Sequence, residues 1–311
     1  MALHPQAIAA AQVFAKAWPQ PMETMDPAVA RAHFEAIPTS AGPPVESVRD
    51  VTIVSKDGPI PLRVYTPHGP GPFGALVYFH GGGWVVGSIA NADGTVRQIV
   101  NRAKCVVVSV GYRLAPEHKF PTAVDDCYSA MAWTALHAGA LKVRPDALAV
   151  GGASSGGNLA AAVALMSRDK GGPRLVHQSL IYPVIERRFT TRSYIENAQG
   201  PFLTRSMMEW YWSLYLRDAK DALDPYASPI HAPSLRDLPP AFVATAEHDP
   251  LRDEGRAYAQ ALQEAGVPVT YKDYPGMIHG FFNMWKSIDS GTEAIENLCG
   301  ALQRAFGVAQ A

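Results

Sequence analysis

The chain has 311 residues, enough for one large α/β domain with a substantial core and an added subdomain. Its 48% hydrophobic and 18% charged content is ordinary for a globular protein, and nothing in a formal net charge of −1 suggests nucleic acid or an anionic membrane as partner. No stretch approaches the roughly 20 apolar residues of a membrane span, and residues 1–16 lack the basic start and unbroken apolar run of a secretion signal, so a soluble, cytoplasmic protein is expected.

Residues 1–45 look helical but peripheral. Ile8, Ala11, Val13, Phe14 and Trp18 form an imperfect apolar stripe that Pro19, Pro21 and Pro27 break, and a second short helix is expected around Val29 to Phe34. From Ser47 the texture changes. Val48, Val51 and Ile53, then Ile60, Leu62 and Val64, alternate around Lys56-Asp57-Gly58, which predicts a hairpin. After a loop over 67–74, Ala75–Phe79 reads as a buried strand ending in His80-Gly81-Gly82-Gly83-Trp84. A helix over 93–103 and a buried strand over 105–110 follow. Pro121 then opens a helix with Val124, Cys127, Tyr128, Met131 and Ala135 on its apolar face. The cysteines, Cys105, Cys127 and Cys299, are three and widely spaced, which favours buried thiols over a disulfide framework.

Ala147–Val150 is a short apolar strand that runs through glycines into an Ala-rich helix carrying Leu159, Val163 and Met166. The join, Gly152-Ala153-Ser154-Ser155-Gly156, fits G-x-S-x-G, the sharp elbow that exposes a nucleophilic serine. Strands are expected over 176–182, 241–246 and 269–274, with helices over 253–265 and along the face Ile295, Leu298, Leu302 and Phe306. Repeated βα units predict an α/β fold with a mostly parallel central sheet, helices on both faces and the opening hairpin adding antiparallel strands at one edge. Residues 1–45 and 184–236 break the alternation and are placed together as a helical cap over an α/β domain made of 46–183 and 237–311.

A serine hydroxyl needs a base, a group that orients the base, and donors for the oxyanion. With a strand-to-helix elbow, the acid and then the histidine come later in the chain. His177, His231, His248 and His279 lie beyond Ser154, and His279 follows a strand in a loop over 274–281, at the carboxyl end where such sheets bind ligands. Asp249 follows the strand before it. Asp253 and Glu254 suit the first helical turn, where carboxylates complement the dipole, and His248 adjoins the acid. Ser155 would need the frame Ala153-x-Ser155-x-Gly157, with alanine where the turn prefers glycine, so Ser154 is the expected nucleophile. The His80 glycine run has neither the lysine of a phosphate loop nor the spacing of a dinucleotide loop, and reads as an oxyanion loop.

Five ordered motifs, His80–Trp84, Tyr112–His118, the serine elbow, Asp249–Gly255 and His279–Phe281, resemble the bacterial hormone-sensitive-lipase family of carboxylesterases over nearly the whole chain. The resemblance implies an α/β-hydrolase fold with a helical cap. It makes Ser154 the nucleophile, His279 the base and Asp249 its orienter, gives oxyanion donors from the N–H groups of Gly82, Gly83 and Ser155, and needs no cofactor or metal. One departure is clear: the family's usual Gly-Asp-Ser-Ala-Gly stands here as Gly152-Ala153-Ser154-Ser155-Gly156.

The helix over 206–216 carries Met207, Met208, Tyr211, Leu214 and Tyr215 on one face, widened by Trp210 and Trp212. Core packing accounts for most of these side chains. Tyr211, with Trp84, Phe202 and Phe282, is expected to line a pocket for a small-molecule ester of short to medium acyl chain. An amidase or deacetylase would share the same residues. A non-catalytic binder of this fold is disfavoured by the intact Ser154–Asp249–His279 set. A homo-oligomer is compatible with the sequence.

Overall fold

The computed structural model describes residues 2–55 and 57–308. Lys56, expected in the hairpin turn, lies outside the described residues, as does Met1. The chain begins with α1 (Pro5–Ala17), a 3₁₀ turn (Met22–Thr24) and α2 (Pro27–Ala36), then the hairpin β1 (Ser47–Ser55) and β2 (Gly58–Thr66). There follow β3 (Phe73–Phe79), α3 (Ile89–Ala103), β4 (Val106–Val110), α4 (Thr122–Leu136), β5 (Val143–Ala153), α5 (Ser155–Asp169) and β6 (His177–Ile181). After α6 (Arg192–Glu196) and α7 (Arg205–Tyr215), the alternation resumes with β7 (Ala241–His248), α8 (Arg252–Glu264), β8 (Val269–Ile278) and α9 (Asp289–Ala305).

The eight strands form one sheet in the order β1-β2-β4-β3-β5-β6-β7-β8. From β4 to β8 every pairing is parallel; β2 is antiparallel to both β1 and β4. Within the expected antiparallel hairpin only β2 therefore runs against the sheet, and β1 regains its direction. From β3 the chain steps to β4 on one side and then to β5 on the other. The loops leaving β3 and β5 thus diverge at a topological switch point, where open α/β sheets bind ligands.

Two apolar clusters cover the two faces. One joins Val77, Val108 and Val150 to Val124 and Met131 of α4, Leu159 and Val163 of α5 and Tyr258 of α8. The other joins Leu76, Val107 and Ala149 to Ile99 of α3 and Leu298 of α9. Several sequence expectations change here. α5 has no solvent face, because each residue from Ser155 to Ser167 is buried; its alanines let it pass between the sheet and its neighbouring helices. In α1 the small residues Ala7 and Ala11 are buried, while Ile8 and Val13 are exposed, because the helix docks closely beside β8 with His4 N donating to Gly276 O. β8 continues through 275–278, which were expected as loop, and Ile278 pairs with His248 after a register shift. Among the described residues no helix is long and apolar enough to cross a membrane.

His177 is buried at the start of β6, and burial lowers its imidazole from 6.5 to about 4, with Arg304 adding to the shift. The unfolded chain then binds a proton near pH 6.5 that the folded chain refuses until about pH 4, so stability falls as pH drops through that window. We predict a loss of about 3 kcal/mol from this residue across the window. Urea unfolding at stepped pH should show a shallower decline in His177→Gln than in the wild type.

Candidate active site

Ser154 sits between the last residue of β5 and the first of α5 with φ 60° and ψ −121°. A non-glycine residue held there costs about 1–3 kcal/mol, so the surroundings must hold it. Ser154 N donates to Ile181 O at 2.9 Å, and Ser154 O accepts from Asn158 N at 3.1 Å and Val184 N at 3.2 Å. The flanking glycines answer a second demand, close approach. A Cβ on Gly156 would lie 2.0 Å from Phe79 O, and one on Gly152 would lie 2.4 Å from the same atom. α5 therefore starts in contact with the backbone of β3. Ala153 points into the apolar layer with Ile181 and Tyr182 and is 1% exposed.

His279 follows the end of β8 and brings its Nε2 to 3.0 Å from Ser154 Oγ. Its Nδ1 lies 2.6 Å from Asp249 Oδ2. Asp249 is fully buried, and its other oxygen accepts from Leu251 N at 2.9 Å. A carboxylate facing Nδ1 keeps the ring proton there and leaves Nε2 free to accept the serine proton. The rival groups are placed elsewhere. His177 is level with Ala149 on the sheet, four residues back from Ala153. His248 turns towards Glu247, Asp253 receives the Ser193 amide, and Glu254 receives the Ile185 amide. Ser155 Oγ is buried beside the Tyr112 hydroxyl.

The loop after β3 passes alongside the serine: a Cβ on Gly81 would lie 3.4 Å from Ser154 Cβ. Gly82, Gly83 and Trp84 all take positive φ, at 123°, 59° and 62°. Val85 N and Val86 N both donate to Gly82 O, which closes the loop into a tight turn. Ser155 opens α5, so its N–H is among those with no acceptor inside the helix and lies at the positive end of the dipole. The three expected donors thus belong to the two backbones that meet at Ser154.

The supports of this loop come from the Tyr112–His118 motif and, without any signal in the sequence, from Arg31 of α2. Tyr112 stacks on His80 with ring centroids 4.3 Å apart and donates to His80 O at 2.8 Å. Burial pushes the His80 imidazole down to about 4. Arg31 of α2 donates to Val85 O at 2.7 Å and Ala115 O at 2.6 Å, and pairs with Glu117. Arg113 holds the buried Asp126 of α4 through Nε and Nη2, with its amide adding a third bond. Arg113 and Glu117 lie within a recognised motif, whereas Arg31 carries no local signal because its partners are 54 and more residues away.

The aromatic residues divide by depth. Trp84 is fully buried, stacked on Tyr215 at 4.1 Å with the rings 3° apart, and Phe282 is fully buried in the opposite cluster. Tyr211 is also buried, at 5% exposed, but it touches the glycine loop, as Phe202 touches the loop after His279. The Tyr211 ring covers Gly83, where a Cβ would come within 2.3 Å of it, and its hydroxyl donates to Met22 Sδ at 2.8 Å. Phe202 is half-buried, lies against Gly280 with its ring centroid 6.3 Å from that of His279, and packs on Phe14 at 4.0 Å. A separate cleft of about 670 Å³, between α6, α8 and β8, is lined by charges such as Arg192, Glu196 and Arg252 and has no apolar wall for an acyl group. Among the described residues no group of three or more His, Cys, Asp or Glu is placed to hold a metal ion.

Residues 76–283 match a family described by the α/β hydrolase fold. The carboxylic ester hydrolase LipN of Mycobacterium tuberculosis is 41% identical over 289 residues, spanning 89% of this chain and 76% of LipN. An arylesterase of Saccharolobus solfataricus is 41% identical over 239 residues, spanning 76% and 78% of the two chains. The solved structure of a hyperthermophilic esterase from the archaeon Pyrobaculum calidifontis superposes with a TM-score of 0.92 at 41% identity, covering 99% of this chain and all of that one.

The close contact between Gly83 and Tyr211 is testable. Gly83→Ala should displace the loop amide and lower turnover of p-nitrophenyl acetate by roughly 10²-fold, the scale of one lost oxyanion donor. Trimming the ring, in Gly83→Ala combined with Tyr211→Ala, should recover part of that loss. Steady-state rates with melting temperatures as a folding control check both outcomes.

Proposed function

The chain belongs to the bacterial hormone-sensitive-lipase family of α/β-hydrolase carboxylesterases, and on that premise we propose that it hydrolyses short- to medium-chain acyl esters through an acyl-enzyme on Ser154. It is a carboxylic ester hydrolase. The observation that carries the assignment of residues is the continuous relay from Ser154 Oγ to His279 Nε2 at 3.0 Å and from His279 Nδ1 to Asp249 Oδ2 at 2.6 Å. Ser154 attacks the ester carbonyl while His279 takes its proton. Asp249 holds the ring tautomer and stabilises the imidazolium that forms. The N–H groups of Gly82, Gly83 and Ser155 receive the oxyanion. His279 then passes its proton to the departing alcohol and activates the water that releases the acid.

We further assign residues 1–45 and 184–236 to a cap, and 46–183 with 237–311 to the catalytic domain. Three contacts support that grouping: Ser206 Oγ donates to Glu23 at 2.5 Å, Tyr211 to Met22, and Phe14 packs on Phe202 with the rings tilted. The alcohol oxygen must leave towards His279 Nε2, so the Phe202 and Phe14 rings flank the alcohol side and suit aryl esters, in keeping with the arylesterase among the relatives. Tyr211, over Gly83, borders the oxyanion side, whereas Trp84 and Phe282 are fully buried and do not line the pocket. Free, buried Cys105, Cys127 and Cys299 accord with a cytoplasmic setting.

Ser154→Ala should abolish the burst of p-nitrophenol from p-nitrophenyl acetate, whereas Ser155→Ala should retain it. A normal burst in Ser154→Ala, with loss in Ser155→Ala, would reverse the assignment. Across p-nitrophenyl esters of increasing acyl length, kcat/KM should be highest at short to medium chains. Highest activity on long-chain emulsified triglycerides would contradict a capped pocket.

A further inference from the structure

Glu254 stands in the first turn of α8, where an exposed carboxylate would complement the dipole, yet it is 1% exposed. Its Oε1 instead accepts from Ile185 N at 2.7 Å across 69 residues of chain. Ile185 belongs to the segment that wraps the nucleophile. Ile181 O accepts from Ser154 N, Val184 N donates to Ser154 O, and Tyr182 N donates to Ala244 O. Glu254 itself closes the short stretch that presents Asp249. There Leu251 N donates to Asp249 Oδ1, Arg252 N to Asp249 O, and Ser193 Oγ to Pro250 O. Pro183 packs between the two helices, against Gly157 of α5 and Gly255 of α8, where added Cβ atoms would lie 2.9 Å and 3.6 Å from it.

We propose that Glu254 is a positioning residue for ester hydrolysis: its carboxyl ties the backbone that carries Ser154 to the backbone that carries Asp249, and so sets the distance His279 must span. The proposal rests on the reading of Ser154, His279 and Asp249 given above. Burial, with the neighbouring carboxylates of Glu186 and Asp249, pushes the Glu254 carboxyl well above the usual range, against the amide bonds from Ile185 and Glu186 that lower it. The other groups around it are Tyr194 of α6, the Arg188 paired with Glu186, and the Arg252–Asp253 pair of α8. The carboxamide oxygen of glutamine can accept the Ile185 amide proton in place of Glu254 Oε1 with little change of shape. An apolar side chain leaves Ile185 N buried without its acceptor and frees the two backbones to shift. Misplacement by about 1 Å at a reacting site costs on the order of 10²-fold in rate.

The test compares Glu254→Gln, Glu254→Leu and Glu254→Asp with Ser154→Ala in the full chain, using stopped-flow acylation by p-nitrophenyl acetate. Glu254→Gln should acylate within about threefold of the wild type, while Glu254→Leu should keep its KM and lose on the order of 10²-fold in acylation rate and kcat. Glu254→Asp keeps the acid but shortens its reach, and should fold yet be slowed in acylation, which decides the matter if the leucine variant does not fold. Wild-type acylation in the leucine or aspartate variant, with only the melting temperature lowered, would overturn the proposal. So would a glutamine variant as slow as the leucine one. A burst that survives Ser154→Ala would instead overturn the reading of the triad.

Discussion

The strained backbone of one residue governs the rest of the structure. Ser154 is held at φ 60° and ψ −121° so that its hydroxyl stands clear of the sheet while α5 begins at once. That turn requires α5 to touch β3, which demands glycine at 152 and 156. It also requires acceptors and donors for Ser154 N and O, which the 181–184 segment supplies from the next strand. The strain is thus sustained beside a helix, α5, that is buried on every side.

Each partner of Ser154 arrives on the loop of a different parallel strand. β3 delivers the glycine loop, β7 the carboxylate and β8 the imidazole, all at the carboxyl edge of one sheet. Parallel pairing makes this convergence automatic, because successive strands end at the same side. What pairing alone leaves loose is the final ångström. Long-range side-chain bonds hold the backbones there: Arg31 on the glycine loop after β3, Tyr112 on His80, and Glu254 on the segment behind the serine. Over the site, Tyr211 and Phe202 belong to a stretch without strands, and they are fixed by Met22 and Phe14 from the first 45 residues.

The βα alternation, the eight strands and the elbow were legible because each depends on local spacing. Apolar runs of four to seven residues, most of them next to a glycine or proline, marked buried strands, and G-x-S-x-G marked a turn whose sterics are local. Less legible was which side of an element faces inward. α1 buries Ala7 and Ala11 rather than the larger Ile8 and Val13, because close docking beside β8 favours small side chains. Trp84 and Phe282 carry the composition of pocket residues, yet they are fully buried, Trp84 against Tyr215 and Phe282 in the opposite cluster.

By itself the sequence determined the strand–helix order, the strained serine turn and the succession of serine, aspartate and histidine that such a turn requires. These follow from steric and periodic rules that act within a few residues. Only the tertiary structure decided how the groups meet. It set the distance from His279, the base already expected from the sequence, to Ser154, and sent Glu254 into the core instead of to the helix surface. Those outcomes depend on contacts between residues 69 to 125 positions apart, and their geometry exists only once the sheet has closed around the elbow.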